Sequence, residues 1–266
     1  MSDSAVALHG RCALITGSTA SLGLAIADRL AAAGARIVLH NLRDDEPARQ
    51  ARDALADRHG ADVLLQAADL NDVDQIEAMA QAARQAFGGI DIVVNNAVVR
   101  HFGPADTLPR DHWDEALAVN LSAAFHLARL AIPGMRSRGW GRIINMSSVY
   151  GAGATANRVG YITTKTALVG LTRALAMETA QDGITCNAVS PGTVPTPAIV
   201  ARIAGLARDQ GVTEQQAQYD YLAGRQPTGR FVDMANVAAL ISFLCSDAGR
   251  DITGAVLPID GGWTAS

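Results

Sequence analysis

The stretch CALITGSTASLGLAIADRLAAA, residues 12–33, sets a pattern that the chain repeats. A short apolar, β-rich run, Cys12 to Thr16, passes through a turn rich in small residues, Thr16 to Gly23, into a helical stretch, Leu22 to Ala33. Runs of the same kind recur at Ile37 to His40, Val63 to Gln66, Ile90 to Val94, Arg142 to Met146, Ile184 to Val189 and Val256 to Ile259. Helical segments such as Asp72 to Phe87 and Arg110 to Met135 lie between them. Strands that alternate with helices and stay apolar along their length belong to a parallel sheet covered on both faces.

The expected fold is therefore α/β, a doubly wound parallel sheet of Rossmann type, with residues 1–266 as one domain. A chain of 266 residues suits a single unit of this class, and no Pro/Ser-rich linker or charge run divides it. About half of the residues are hydrophobic, enough for a large core. A net charge of −4 and a pI near 5.8 leave no basic footprint for nucleic acid or an anionic membrane. The N-terminus, MSDSAVALHG, lacks the charged and apolar regions of a leader, and no run of consecutive apolar residues approaches a membrane span. Cys12, Cys186 and Cys245 are far apart and sit in apolar runs, which predicts reduced core thiols and a cytoplasmic protein. The six histidines show no metal-ligand spacing, so no metal site is expected.

The chemistry is expected between Ser148 and Lys165. Lys165 is the only lysine in the sequence, and it follows Tyr161 by four residues in a helix-forming run, which puts both side chains on one face. A guanidinium is a broad fork, whereas an ammonium is a compact charge that can sit beside a phenol. A free tyrosine has a pKa of about 10 and needs a nearby cation to act as an acid–base group near neutrality. Ser148, ahead of that pair, adds a hydroxyl that can donate to a carbonyl oxygen while Tyr161 exchanges the proton. There is no GxSxG turn to suggest a serine hydrolase.

With the Ser148, Tyr161 and Lys165 set, the sequence resembles the short-chain dehydrogenase/reductase family from about Arg11 to Trp263. The resemblance implies oxidation of a secondary alcohol to a ketone, or the reverse, with Asn120 bending the helix Arg110 to Met135 and supporting the proton relay. It also implies a nicotinamide dinucleotide held by Gly17, Thr19, Ser21, Leu22 and Gly23 in the first turn, and by Asn41 and Leu42 after the second strand. Asp69, Leu70, Asn95, Ala97, Tyr161, Lys165, Pro191, Val194 and Thr196 complete that set. The family's TGxxxGxG pattern is met at Gly17 and Gly23 but carries Ser21 in the middle; Ser21 could cap the helix or donate to phosphate. The NNAG pattern ends here in Val98. At the end of the second strand, a carboxylate favours NAD and a basic residue favours NADP. Asn41 and Leu42 supply neither and Arg43 dissents, so NAD is favoured over NADP.

Within the family, the stretches GSTASLGLAIA, NLSAAFH, GRIINMSS, TANR, QPTGRF, FLCSDAGRDITGA and DGGWTAS are similar to bacterial 3-hydroxybutyrate dehydrogenases. The implied substrate positions are Arg100, Ser148, Tyr150, Arg158, Tyr161, Thr193, Arg202 and Trp263. Arg158 stands where that group has lysine, Arg100 and Arg202 where it has glutamine, Tyr150 where it has histidine, and Thr193 where it has tryptophan. Arginine forks bind carboxylate and phosphate, so a small anionic substrate is expected, larger or doubly charged being open. Arg100 and Arg202 could instead pair with acids such as Asp209. The resemblance further implies a lid at about 193–230 and a homotetramer. Alternatives are an NADP-dependent 3-oxoacyl or sugar/polyol reductase, and a non-catalytic dinucleotide sensor.

Overall fold

Every apolar run of the sequence pattern becomes a strand, and the strands join in one sheet. In the computed structural model, which describes residues 8–266, these are β1 (Cys12–Ile15), β2 (Arg36–Asn41), β3 (Val63–Ala67), β4 (Ile92–Asn95), β5 (Gly141–Met146), β6 (Ile184–Pro191) and β7 (Val256–Ile259). The order is β3-β2-β1-β4-β5-β6-β7, and every neighbouring pair is parallel. The helices are α1 (Ser21–Ala32), α2 (Glu46–His59), α3 (Val73–Phe87), α4 (Arg110–Leu117), α5 (Ala123–Arg138), α6 (Val159–Glu178), α7 (Pro197–Gln210), α8 (Glu214–Ala223) and α9 (Met234–Cys245). The expected absence of a leader rested on the N-terminal segment, of which residues 1–7 lie outside the described residues.

The near-continuous hydrophobicity of the strands has a direct cause. Successive side chains point to opposite faces, and here both faces are covered. Ala13 and Ile15 of β1 pack with Ile26 and Leu30 of α1 and Val237 and Ile241 of α9. Cys12 and Leu14 pack on the other side with Ile76 of α3, Leu127 of α5 and Leu175 of α6. Each such buried aliphatic side chain contributes about 1.5–3 kcal/mol. All three cysteines are free and buried, and burial pushes each thiol up to about 12.

Local chemistry sets the helix ends. Asp45 accepts from Ala48 N at 3.0 Å to start α2, and Asp72 accepts from Asp74 N and Gln75 N to start α3. The stretch expected as one helix, Arg110 to Met135, is α4, a π-helical turn at Ala118–Ser122 and then α5, which runs on to Arg138. By length and composition the whole segment from Arg110 to Arg138 could cross a membrane. Its residues Ala123, Leu127, Ala128, Ala131 and Met135 instead lie in the core. At the N-terminal end of the sheet, buried Asp91 accepts from Cys12 N at 2.9 Å and Arg138 Nε at 2.8 Å. At the other end, the strand order turns about β1 and β4, and their diverging connections open a crevice there. Helices α7 and α8 pack over this end through a small cluster of their own, Ile203, Ala207 and Ala217 with Phe231.

Candidate active site

Tyr161 and Lys165 sit one turn apart on the inner face of α6, both buried. The helix is pinned to the end of β5 twice. Ser147 Oγ donates to Lys165 O at 2.9 Å, and Lys165 Nζ donates to Met146 O at 2.6 Å. Ser148 follows β5, and its oxygen accepts from Tyr150 N at 3.2 Å, which leaves the hydroxyl proton free to donate elsewhere.

Burial works against the Tyr161 phenolate, but the charges of Lys165 and Arg100, with the polar groups of Ser148 and Arg100, outweigh it. The phenol is held below its ordinary value of 10.0. Burial also lowers Lys165, Tyr161 draws it back up, and Arg100 lowers it further. The Arg100 guanidinium carbon is 5.4 Å from the Tyr161 ring centroid and Lys165 Nζ is 5.7 Å from it, so two cations stand close to the phenol. Arg100, expected from the sequence only at the substrate, acts on the phenol because the fold brings the end of β4 beside α6.

Asn120 is buried at the centre of the π-helical turn. Its Oδ1 accepts from Val99 N at 2.8 Å, and its Nδ2 donates to Val99 O at 3.0 Å and lies 3.4 Å from Thr164 Oγ1. It therefore braces the strand-end segment carrying Val99 and Arg100 against α6, one residue from Lys165, and does not bond to Lys165 itself.

The inner part of the crevice is a cleft of about 540 Å³ lined by Gly17, Ser21, Leu22, Gly23, Asn41, Leu42, Asp69, Leu70, Ala97, Tyr161, Lys165, Pro191, Val194 and Thr196, all expected from the sequence. Thr19 and Asn95 were also expected and do not line it. Asn95 points into the sheet, its Nδ2 donating to Asn145 Oδ1 at 2.8 Å. Its neighbour Asn96 takes the cleft wall and donates to Thr16 O and Gly17 O, both at 2.9 Å. Ser21 does not cap α1. The N-cap is Ala20, whose side chain makes no capping bond, so the first amides of α1 face the cleft without a side-chain acceptor. Ser21 instead holds a φ of 48°, the left-handed region that the family's glycine adopts freely. Val98 has no such strain. Asp69 leaves the capping of α3 to Asp72, and its own Oδ1 accepts from Asn71 N and Nδ2, both at 2.9 Å.

His40, not among the expected site residues, also lines the inner cleft. Gly17 N donates to His40 Nδ1 at 2.9 Å, and His40 Nε2 lies 2.9 Å from Ala68 O, which fixes the neutral tautomer with its proton on Nε2. Burial holds this imidazole below its ordinary value. It ties the first turn to the ends of β2 and β3, and the one signal was a polar residue inside the apolar run IVLHN.

A second cleft, of about 470 Å³, is lined by all the expected substrate residues: Arg100, Ser148, Tyr150, Arg158, Tyr161, Thr193, Arg202 and Trp263. Tyr150 stands edge-on to both Tyr161 and Trp263, with centroids 6.3 and 5.7 Å apart. Phe102, Tyr221 and Arg225 also line it and were not among the expected substrate residues. Buried Gln226 donates to Arg230 O at 2.6 Å and accepts from Thr193 N, fixing the loop at the mouth. Neither Arg100 nor Arg202 lies within ion-pair distance of a carboxylate among the described residues, so the pairing with acids such as Asp209 does not form. Within those residues, no group of three or more His, Cys, Asp or Glu could hold a metal ion.

The two clefts share Arg100, Ser148, Tyr161, Gly192, Val194 and Thr196, so they meet at the phenol. A long cleft for a dinucleotide that meets a smaller one beside an ionisable phenol is the layout of a nicotinamide-dependent oxidoreductase acting on CH–OH groups. The chain belongs to the short-chain dehydrogenase/reductase family, whose members interconvert alcohols and ketones. A family profile described as enoyl-(acyl carrier protein) reductase matches residues 17–264. A D-beta-hydroxybutyrate dehydrogenase of Cupriavidus necator is 42% identical over 258 residues, covering 97% of this chain and 99% of the relative. Another, from Rhizobium meliloti, is 41% identical over 255 residues, covering 96% and 99%. Among solved structures, L-sorbose reductase from Gluconobacter frateurii, complexed with NADPH and L-sorbose, is 31% identical with a TM-score of 0.94, covering 98% of this chain and 99% of that one.

Proposed function

We propose that the protein is a dehydrogenase of a 3-hydroxy acid or related anionic substrate, using NAD in preference to NADP. The observation that carries this reading is the meeting of the two clefts at Tyr161, with Ser148 and Lys165 beside it and arginines along the substrate side. The inner cleft fits a dinucleotide. The uncapped amides of α1 and the close Gly17–Gly23 turn suit the pyrophosphate, and Thr196 precedes α7 with its hydroxyl free of any capping bond. When bound, the nicotinamide supplies the hydride acceptor or donor.

Tyr161 takes the alcohol proton during oxidation and returns it during reduction, its ionisation favoured by Lys165 and Arg100. Ser148 donates to the oxygen of the forming carbonyl. Asn120 holds the segment of Arg100 against α6, and Arg158 draws the substrate carboxylate into the aromatic wall. The choice of NAD is supported at the end of β2. There Leu42, 57% exposed, lines the cleft, Asn41 Nδ2 donates to Arg43 O at 2.9 Å, and Arg43 itself is not part of the lining.

The separate packing of α7 and α8 supports residues 193–230 as a lid on a single domain of residues 1–266, one that would exclude water from the reacting carbon. Exposed Phe125 on α5 and Met177 on α6, 48% and 78% accessible, support a homo-oligomer, a tetramer by the family resemblance. Buried, free thiols suit a cytoplasmic location.

The test is to follow the absorbance of reduced nicotinamide with the purified protein, offering NAD and NADP against 3-hydroxy acids and neutral polyols. The expected result is NAD-linked oxidation of the acids, reduced about a thousandfold in Tyr161→Phe while cofactor binding persists. The similarity to L-sorbose reductase favours one competing reading, a polyol or sugar reductase. Turnover of polyols with NADP and of no acid would establish that reading instead.

A further inference from the structure

Four arginines line the outer cleft, Arg100, Arg158, Arg202 and Arg225, and no aspartate or glutamate does. Among the described residues, none of the four has a carboxylate within ion-pair distance. Elsewhere on this protein arginines commonly find such partners, as Arg49 does in Asp44 and Arg136 in Asp182. Unopposed guanidinium groups around one cavity repel one another, and an anion is what relieves that repulsion.

The four come from two walls. Arg100 and Arg158 stand on the catalytic side. The Arg100 guanidinium carbon is 5.4 Å from the Tyr161 ring centroid, and that of Arg158 is 5.3 Å from Tyr150 and 4.9 Å from Phe102. Arg202, on α7, and Arg225, just after α8, stand on the opposite wall. Both approach one ring, Tyr221, at 5.7 and 4.3 Å from its centroid. Arg225 donates through Nη1 to Tyr221 O, which anchors its stem and leaves the remainder of the fork without a protein acceptor among the described residues. An anchored guanidinium stacked on an aromatic face is partly pre-organised, so it gives up less rotamer freedom on binding an anion than a freely solvated arginine does.

We infer that Arg202, Arg225 and the Tyr221 ring they both approach form a second anion subsite, so that the substrate is a hydroxy acid with a second anionic group, carboxylate or phosphate. This rests on the hydroxy-acid reading given above. Its first carboxylate meets Arg158, its hydroxyl meets Ser148 and Tyr161, and its second anionic group reaches the α7–α8 wall. A substrate with charge at both ends bridges the two walls, so the same contacts that select it also draw α7 and α8 onto the site. A monoanion the size of 3-hydroxybutyrate engages one wall only.

The experiment compares kcat/KM for two monoanions, 3-hydroxybutyrate and the monomethyl ester of 3-hydroxyglutarate, and two dianions, in the sense of two anionic groups, 3-hydroxyglutarate and the 4-phosphate of 3,4-dihydroxybutyrate. The expected result is a preference on the order of tenfold or more for one or both dianions over the monoester. Whichever dianion leads identifies the second group as carboxylate or phosphate. In Arg225→Gln and Arg202→Gln the ratio of dianion to monoanion falls towards one, and in Arg225→Lys it falls only in part because the charge remains; thermal melts confirm that each variant is folded. Equal kcat/KM for mono- and dianions, or a ratio unchanged in both glutamine variants, overturns the second subsite while leaving the hydroxy-acid reading standing. Oxidation of neutral alcohols with no acid turned over overturns both.

Discussion

Gly23 is the position where a single methyl group tests how the dinucleotide turn is built. A Cβ there would lie 2.1 Å from Gly17 O, 2.8 Å from Ser18 Cα and 2.7 Å from Asn96 Nδ2. Two of these three atoms are backbone, so the strain cannot escape by turning a long side chain aside. The start of α1 and the turn must separate by about 1 Å, at an overpacking cost of about 1–3 kcal/mol. That movement also pulls Gly17 O from Asn96 Nδ2 and disturbs the neighbouring bond to Thr16 O, both 2.9 Å long, at about 1 kcal/mol each. Gly23→Ala is thus expected to lose about 3–5 kcal/mol, or about 5–10 °C in melting temperature for a chain of this size. Because the displaced segment holds the α1 amides that face the cleft, NAD affinity should fall on the order of tenfold or more. Urea unfolding gives the first quantity, and titration of intrinsic fluorescence with NAD gives the second. A variant that melts and binds NAD like the parent would refute the close packing described for this turn. Ser21→Gly, two residues earlier, is the matched contrast. Relief of a left-handed serine, worth about 1 kcal/mol, is offset by the entropy glycine gains when unfolded, so stability stays nearly level while NAD binding tightens. Equal or weaker NAD binding would show that the serine is not an obstacle.

Three further outcomes follow from the same geometry. Oxidation requires the Tyr161 phenolate, so its kcat/KM should rise with pH through a pKa below 10, and reduction should fall through it; in Lys165→Met, with the cation gone and the burial kept, that profile should move to higher pH, and an unmoved profile would remove Lys165 from the ionisation. His40 has its folded-state pKa depressed, so its contribution to stability is fully present above about pH 6.5 and is lost as pH falls from there through the folded value; urea midpoints should drop between about pH 7.5 and 5.5, less steeply in His40→Gln, and parallel drops would exclude His40 as the cause. Asp91→Ala leaves Cys12 N and Arg138 Nε without their acceptor and should cost about 2–3 kcal/mol by urea unfolding, with NAD affinity unchanged because the site is at the far end of the sheet; a loss of NAD affinity with stability intact would contradict that separation.

The seven strands and their order along the chain were legible because burial on both faces forces long apolar runs, and a run such as Ile90 to Val94, observed as the strand Ile92–Asn95, leaves few alternatives. Tyr161, Lys165 and Ser148 were legible because helix periodicity and a solitary lysine survive in one dimension. A bend at Asn120 was implied by the resemblance, but its π-helical form at Ala118–Ser122 was not legible, since one extra residue in so short a stretch does not stand out from the apolar pattern on either side. Nor was the separation of Asn95 from Asn96. Adjacent strand residues face opposite ways, and only the register with Asn145 decides which of the two enters the sheet.

What the sequence by itself determined is whatever depends on neighbours along the chain: the α/β alternation, the turn at Thr16 to Gly23, and the i,i+4 pairing of Tyr161 with Lys165. What only the tertiary structure decided is how segments far apart in sequence converge. Arg100 beside Tyr161, His40 under Gly17, and Arg202 with Arg225 around Tyr221 arise because parallel strands end together and their loops crowd over one edge of the sheet. Charge acts through space, so the ionisation of a phenol and the repulsion among four arginines exist only once the fold has set those distances.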